Sequence, residues 1–87
     1  MAGILQNSMV ADVAPTSEHL TDYDRSHMLV YIRILDAADE GAAWQEVCSI
    51  LFQIDAGKEP QRARQVYDSH MQRAEWFSRS GYRDLIS

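Results

Sequence analysis

The sequence has 87 residues, 46% of them hydrophobic, and a formal net charge of −5 at pH 7. A chain of this length forms one small domain, and no apolar run approaches the ~20 residues that a membrane-spanning helix needs. The N-terminus lacks a basic stretch followed by a continuous apolar segment, so we expect no secretory signal. Cys48 is alone and cannot form a disulfide within the chain, which is typical of a cytoplasmic protein.

Residues 1–20 show no hydrophobic period. Their apolar residues are scattered among small and polar residues and Pro15. Such a composition is typical of a segment that becomes ordered only on binding. We therefore predict a flexible N-terminal tail over residues 1–20 and one helical domain over residues 21–87. The tail has slightly too many apolar residues for a pure linker, so a second interpretation is that part of it docks on the domain.

The first predicted helix runs from about residue 23 to residue 39. Thr21 or Asp22 can cap its N-terminus, and Gly41 suits its end. At ~100° per residue the apolar side chains cover two adjoining faces and leave a narrow polar strip. A domain of this size rarely needs so wide an apolar surface on one helix, so we predict that part of it contacts a partner. The candidate contacts on this helix are Val30, Tyr31 and Ile34.

Two further helices are predicted, joined by a turn of about seven residues. The second covers about residues 43–52 and has apolar residues at helical spacing. Gly57 and Pro60 mark the turn, and Pro60 suits the first turn of the next helix. The third runs from Pro60 or Gln61 to about Ser80 and is predicted to end at Gly81 in a left-handed conformation. Its core stripe comprises Ala63, Val66, Tyr67, His70, Ala74 and Phe77.

This order of helix, turn and arginine-bearing helix predicts an all-α fold, a small helical domain of an extended-turn helix-turn-helix variant. Residues 61–87 carry five arginines against three acids, a net charge of +2, whereas residues 1–60 have a net charge of −7. One interpretation is a transcription factor that contacts DNA with Arg62, Arg64, Arg73 and Arg79. However, Arg64 and Arg79 each have an acid four residues away, and pairs at that spacing neutralise each other. Together with the negative total charge, these neutralised arginines predict that the domain does not bind nucleic acid. They favour a domain that has the fold of a DNA-binding domain but binds a protein.

No pattern in the sequence indicates an enzyme or a metal site. His70 falls on the core stripe, where a hydrogen-bonded structural histidine is commoner than a catalytic one. His19 and His27 have no cysteine or carboxylate at ligand spacing, and Cys48 lies on the apolar stripe of the second helix. No glycine-rich phosphate loop is present. We therefore predict no catalytic residue, no metal and no cofactor.

Trp76 lies ~120° from His70 around the third helix, off the core stripe. In one interpretation Tyr82 and Leu85 cover it. In the other it is an exposed anchor for a partner, because tryptophan is enriched at binding hot spots, and it joins the candidate interface residues. An acidic cluster is either a solvated face or a surface that attracts a basic partner. Its members are Asp36, Asp39, Glu40 and Glu46.

Several stretches of the sequence together resemble a bacterial domain found in regulators of the transfer of integrative and conjugative elements. The resemblance covers about residues 26–86. The stretches are YIRILDA from Tyr31, GAAW from Gly41, FQID from Phe52, PQRAR from Pro60, AEWF from Ala74 and GYRDL from Gly81.

The resemblance implies an extended-turn helix-turn-helix with two kinds of member. Activators of the FseA type join this domain to a separate N-terminal domain and bind DNA through a basic surface. Stand-alone acidic members of the QseM type are antiactivators, which bind that N-terminal domain and also restrain a TraR-type quorum-sensing regulator. The negative charge and single domain match the second kind.

On this resemblance, the expected partner is an FseA-like or TraR-like regulator, captured by mimicry of the activator's own helix-turn-helix domain. The expected outcome is repression of the transfer of a conjugative element. We expect the free protein to be a monomer. A homodimer formed through the first helix is a third interpretation.

Overall fold

The computed structural model describes residues 10–81 and 83, and all regular secondary structure within them is helical. Four α-helices follow one another within the described residues: α1 (Asp22–Ser26), α2 (Met28–Asp39), α3 (Trp44–Phe52) and α4 (Pro60–Trp76). A π-helical turn, Phe77–Gly81, continues α4. The predicted all-α fold class is thereby confirmed. Of the helices described, none is long and apolar enough to cross a membrane.

The first predicted helix is in fact two helices. Thr21 caps α1 through a reciprocal pair of hydrogen bonds: its hydroxyl accepts the N–H of Asp24 at 3.2 Å, and the Asp24 carboxylate accepts the N–H of Thr21 at 2.9 Å. His27, at φ −119° and ψ 19°, leaves the helical region and separates α1 from α2. Gly41 follows α2 at φ 80°, a left-handed conformation that glycine adopts readily. The predicted cap and end are confirmed, but the continuous helix is wrong.

The turn between α3 and α4 has the predicted length, residues 53–59. Gln53 ends α3 in the left-handed region at φ 54°. Ile54 is buried and fixes the turn to the core. The carboxylate of Asp55 accepts the N–H of Gly57 at 2.8 Å, which orders the middle of the turn. Pro60 is the first residue of α4. A backbone N–H at this position makes no hydrogen bond within the helix, so proline fits there without loss.

The core lies where α2, α3 and α4 pack against one another. Tyr31 and Ile34 of α2 and His70 of α4 are among its largest fully buried side chains. Cys48 of α3 is also fully buried, and its Sγ lies 3.3 Å from the carbonyl oxygen of Ala63 in α4. Burial raises the pKa of the Cys48 thiol, so Cys48 is a packing residue with little thiolate character.

The end of α4 differs from the prediction. Gly81 is not in a left-handed conformation, since Gly41 is the glycine with positive φ in the described residues. A glycine is required at 81 for another reason. A Cβ atom there would collide with the ring of Trp76, so only a bare backbone can pack against the indole.

Residues 10–20 pack along α4, although they belong to the predicted flexible tail. The N–H of Ala14, which is buried, donates to the hydroxyl of Ser69 at 3.1 Å. The N–H of Ala11 donates to the Tyr23 hydroxyl at 3.0 Å. Residues 10–20 of the predicted tail therefore dock on the helical domain, and residues 1–9 lie outside the described residues.

Candidate nucleic-acid interface

The solvent-facing side of α4 forms a continuous polar strip. At ~100° per residue, its members lie within about one third of the helix circumference, and they are exposed or half-buried. We call this strip the polar face of α4. It comprises Gln61, Arg64, Gln65, Asp68, Gln72 and Glu75.

The predicted DNA-contacting arginines have different surroundings. Arg64 donates from Nε to Asp68 at 3.0 Å and lies over the ring of Trp44, with 5.0 Å from its Cζ to the ring centroid. Arg62 pairs with Asp12 at 3.0 Å and with Glu59 at 3.2 Å. These pairs are solvent-exposed, so each contributes little to stability and exchanges easily for another anion. Arg79 is exposed and makes no ion pair with the residues described, so the predicted pairing with Glu75 is absent.

Arg73 is buried, with 4% of its surface exposed, and cannot contact DNA in this structure. Its Nε and Nη2 donate to the two carboxylate oxygens of Asp24 at 3.0 and 2.6 Å. The guanidinium also donates to the carbonyls of Ser17 at 2.6 Å and His19 at 3.0 Å. The guanidinium lies over the Trp76 ring, with 3.8 Å from its Cζ to the ring centroid. Unlike the other three predicted arginines, Arg73 is therefore not on the surface, because its donors are used to hold the fold together.

Asp24 is fully buried and receives hydrogen bonds from Arg73, Tyr31 and Thr21. Burial alone would raise its pKa, but the hydrogen bonds from Arg73, Tyr31 and Thr21 outweigh burial and lower the pKa to about 2. The Tyr31 hydroxyl donates to Asp24 at 2.6 Å, and burial together with this hydrogen bond raises the pKa of Tyr31. Asp24 is therefore ionised and Tyr31 neutral at pH 7.

His70 is a buried structural histidine. Its Nδ1 lies 2.7 Å from the carbonyl oxygen of Val66, which can only accept, so Nδ1 carries the proton. Nε2 is then an acceptor for the Tyr23 hydroxyl at 2.5 Å. Burial lowers the pKa of His70, which favours this neutral form. The hydrogen bonds link α4 to α1, and through Tyr23 to Ala11.

Two of the predicted interface residues are in the core. Tyr31 and Ile34 have no exposed surface, so they cannot contact a partner unless the domain opens. Val30 is half-buried against the core, and Trp76 is half-buried beneath Arg73. Tyr82 and Leu85, the proposed cover of Trp76, lie outside the described residues. The apolar side chains that α2 does expose are Leu29 and Ile32.

Sequence reasoning missed the Arg73–Asp24 pair, although one signal was present. Arg73 follows His70 by three positions and Val66 by seven, so it sits at core spacing on α4. An arginine at core spacing requires a buried acid. The sequence gives no indication that this acid is Asp24, 49 positions earlier.

The geometry defines a small all-helical domain in which a helix, a seven-residue turn and the longest helix follow one another, and the longest helix presents a polar face. Residues 2–87 match the family described as RovC DNA-binding domain: T6SS, transcription factor, DNA-binding domain. The chain therefore belongs to this family of transcription factor DNA-binding domains, which is not a family of enzymes. No curated protein has a significant match to the sequence.

This family membership corrects the expectation that the chain does not bind nucleic acid, which is wrong. That expectation rested on the net charge of −5 and on the neutralised arginines. Net charge describes the long-range field of the whole molecule. Contact with base edges depends instead on the local chemistry of one face.

Proposed function

We propose that this domain binds duplex DNA as part of a transcription regulator, with α4 as the helix that enters the major groove. The observation that carries the proposal is the match of residues 2–87 to a family of transcription factor DNA-binding domains. The helix–turn–helix order of α3 and α4 supports it, because the second helix of such a unit is the one that reads base edges. Such a regulator works in the cytoplasm.

The polar face of α4 has suitable chemistry for reading bases. Gln61, Gln65 and Gln72 are exposed, and a glutamine side chain can pair bidentately with adenine. Arg64 can pair with guanine, and Asp68 can accept from cytosine. Both are available only after their ion pair at 3.0 Å opens. The face is thus suited to direct contact with bases, with few contacts to phosphates.

The charge distribution predicts a weak dependence of affinity on salt. Three exposed arginines, Arg62, Arg64 and Arg79, are the cations of α4 and its π-helical turn that can reach phosphates. Even if all three contact phosphates and Arg64 does not pair with a base, the slope of log K against log salt is no steeper than about −3. Raising salt from 50 to 200 mM should therefore weaken binding by at most about 40-fold, whereas six to ten contacts would give ~10³–10⁵-fold.

The test is a selection from a random duplex library, followed by fluorescence anisotropy with the selected duplex at both salt concentrations. Gln65→Ala should weaken binding by about tenfold and relax the preference at one base position, since one lost base contact costs ~1–3 kcal/mol. Arg64→Ala should weaken binding, and the matched control Arg33→Ala, an exposed arginine on α2, should not. Failure to enrich any duplex, or equal effects of Arg33→Ala and Arg64→Ala, would refute the role of α4.

A second candidate function is supported by the ion pairs on α4. Arg62 and Arg64 both pair with acids, and the net charge is −5. These features suit an antiactivator of the QseM type, which would capture an FseA-like activator by mimicry of its helix-turn-helix domain and so repress transfer of a conjugative element. A TraR-like regulator is the other candidate partner. Titration of a purified activator N-terminal domain with the full chain, in the presence and absence of the selected duplex, tests this candidate. No complex at micromolar concentration would refute it.

A further inference from the structure

An apolar groove lies between α2 and α3, away from the polar face of α4. Its volume is about 340 Å³. Ala37 of α2 and Leu51 of α3 line it, and Ile50 stands at its edge with 65% of its surface exposed. So large an exposure of isoleucine is unfavourable in water, since burying such a side chain gains roughly 1.5–3 kcal/mol. We call this feature the α2–α3 groove.

The rim of the α2–α3 groove is acidic. Asp36, Glu40 and Glu46 line it together with one cation, Arg33, which gives the rim a net charge of −2. Residues 1–60, which contribute both helices, have a net charge of −7. An occupant must therefore supply an apolar side chain flanked by positive charge.

We infer that the α2–α3 groove docks a cationic amphipathic helix of a partner protein. Apolar residues of that helix would lie on Ile50 and Leu51, while its lysines or arginines would face Asp36, Glu40 and Glu46, as in other helix-in-groove complexes. A second copy of this chain cannot bind groove to groove favourably, because two surfaces that are both acidic repel each other. None of the described residues that line the groove belongs to α4, so docking leaves the polar face of α4 free.

The experiment uses the full chain labelled with ¹⁵N and a synthetic amphipathic helical peptide made of leucine and lysine. The control peptide has glutamate in place of lysine. Two-dimensional NMR should show shifts that concentrate at Ala37, Glu46 and Ile50 with the lysine peptide, and no binding of the glutamate peptide. Shifts spread over α4, or equal binding of the two peptides, would overturn the inference.

Matched variants separate the groove from other exposed apolar residues. Ile50→Ser should weaken binding of the lysine peptide at least tenfold, because loss of a central apolar anchor commonly costs that much. Leu29→Ser, which removes a leucine that is 58% exposed and does not line the groove, should change it less than twofold. Equal effects of the two variants would count against the groove.

Two further measurements exclude other occupants. Sedimentation of the free chain should show a monomer, and a dimer that Ile50→Ser dissociates would mean that the groove binds a second copy. Ile50→Ser should leave DNA affinity unchanged. The docking inference and the proposed DNA binding can therefore be refuted independently of each other.

Discussion

Replacing Arg73 with methionine should destabilise the domain more than any exposed arginine replacement. The change leaves the Asp24 carboxylate buried and charged, with two of its hydrogen bonds lost, and removes the hydrogen bond from the guanidinium to the Ser17 carbonyl. Removing one partner of a buried ion pair costs roughly 3–5 kcal/mol. A domain of 87 residues has a total stability of roughly 4–13 kcal/mol. Arg73→Met should therefore remove roughly a quarter or more of the free energy of unfolding, measured by urea denaturation with far-UV circular dichroism at pH 7.

A double variant distinguishes a buried charge from lost packing. Asp24→Asn removes the charge but keeps an oxygen to accept the N–H of Thr21. Added to Arg73→Met, it should recover about 1–3 kcal/mol, because no unpaired charge remains. Arg64→Met, at an exposed pair, should cost less than about 1 kcal/mol. The reasoning is refuted if Arg73→Met costs no more than Arg64→Met, or if the two changes at 24 and 73 simply add.

Three further outcomes are expected. Acidification from pH 5 to pH 2 should lower the free energy of unfolding by roughly 2 kcal/mol through Asp24. The stability that a depressed pKa confers is lost as pH falls from 3.8 to about 2. Urea titrations at several pH values should show this contribution in the native chain and not in Asp24→Asn. Gly81→Ala should lower the stability of the domain by about 1–3 kcal/mol, because the new methyl group collides with the Trp76 ring. The fluorescence emission of Trp76, measured in a Trp44→Phe background, should shift at the same time. An unchanged spectrum would contradict the contact. Gln53→Gly should raise the midpoint of thermal unfolding and add up to about 1 kcal/mol of stability, because glycine adopts φ 54° without strain. A lower midpoint would mean that the hydrogen bond from Gln53 Nε2 to the Ile50 carbonyl stabilises the domain by more than the strain destabilises it.

Local signals in the sequence were sufficient for most of the helical framework. Thr21 and Gly41 mark helix ends because their effects act within one turn. The apolar stripe of α3 and the proline at the start of α4 likewise predict these elements. The break at His27 was not predictable, since no glycine or proline interrupts the apolar pattern there.

The candidate site was less predictable because burial depends on tertiary contacts. Tyr31 and Ile34 looked like surplus apolar surface, but the packing of α2 against both α3 and α4 uses them in the core. Arg73 looked like a surface cation, but residues distant in sequence supply the acceptors that let it enter the interior. Ile50 belongs to no apolar stripe, and its high exposure became evident only from the structure.

The contacts of Arg73 also bear on how fast this domain assembles. These contacts join residues that are 49 to 56 positions apart in the sequence. The helices must therefore pack together before the guanidinium of Arg73 can reach its acceptors. Helical bundles with mostly local contacts fold within microseconds to milliseconds, and long-range links slow that process. Residues 14–19 are synthesised before α4. They can adopt their packed position only after α4 has been synthesised, because they pack against that helix.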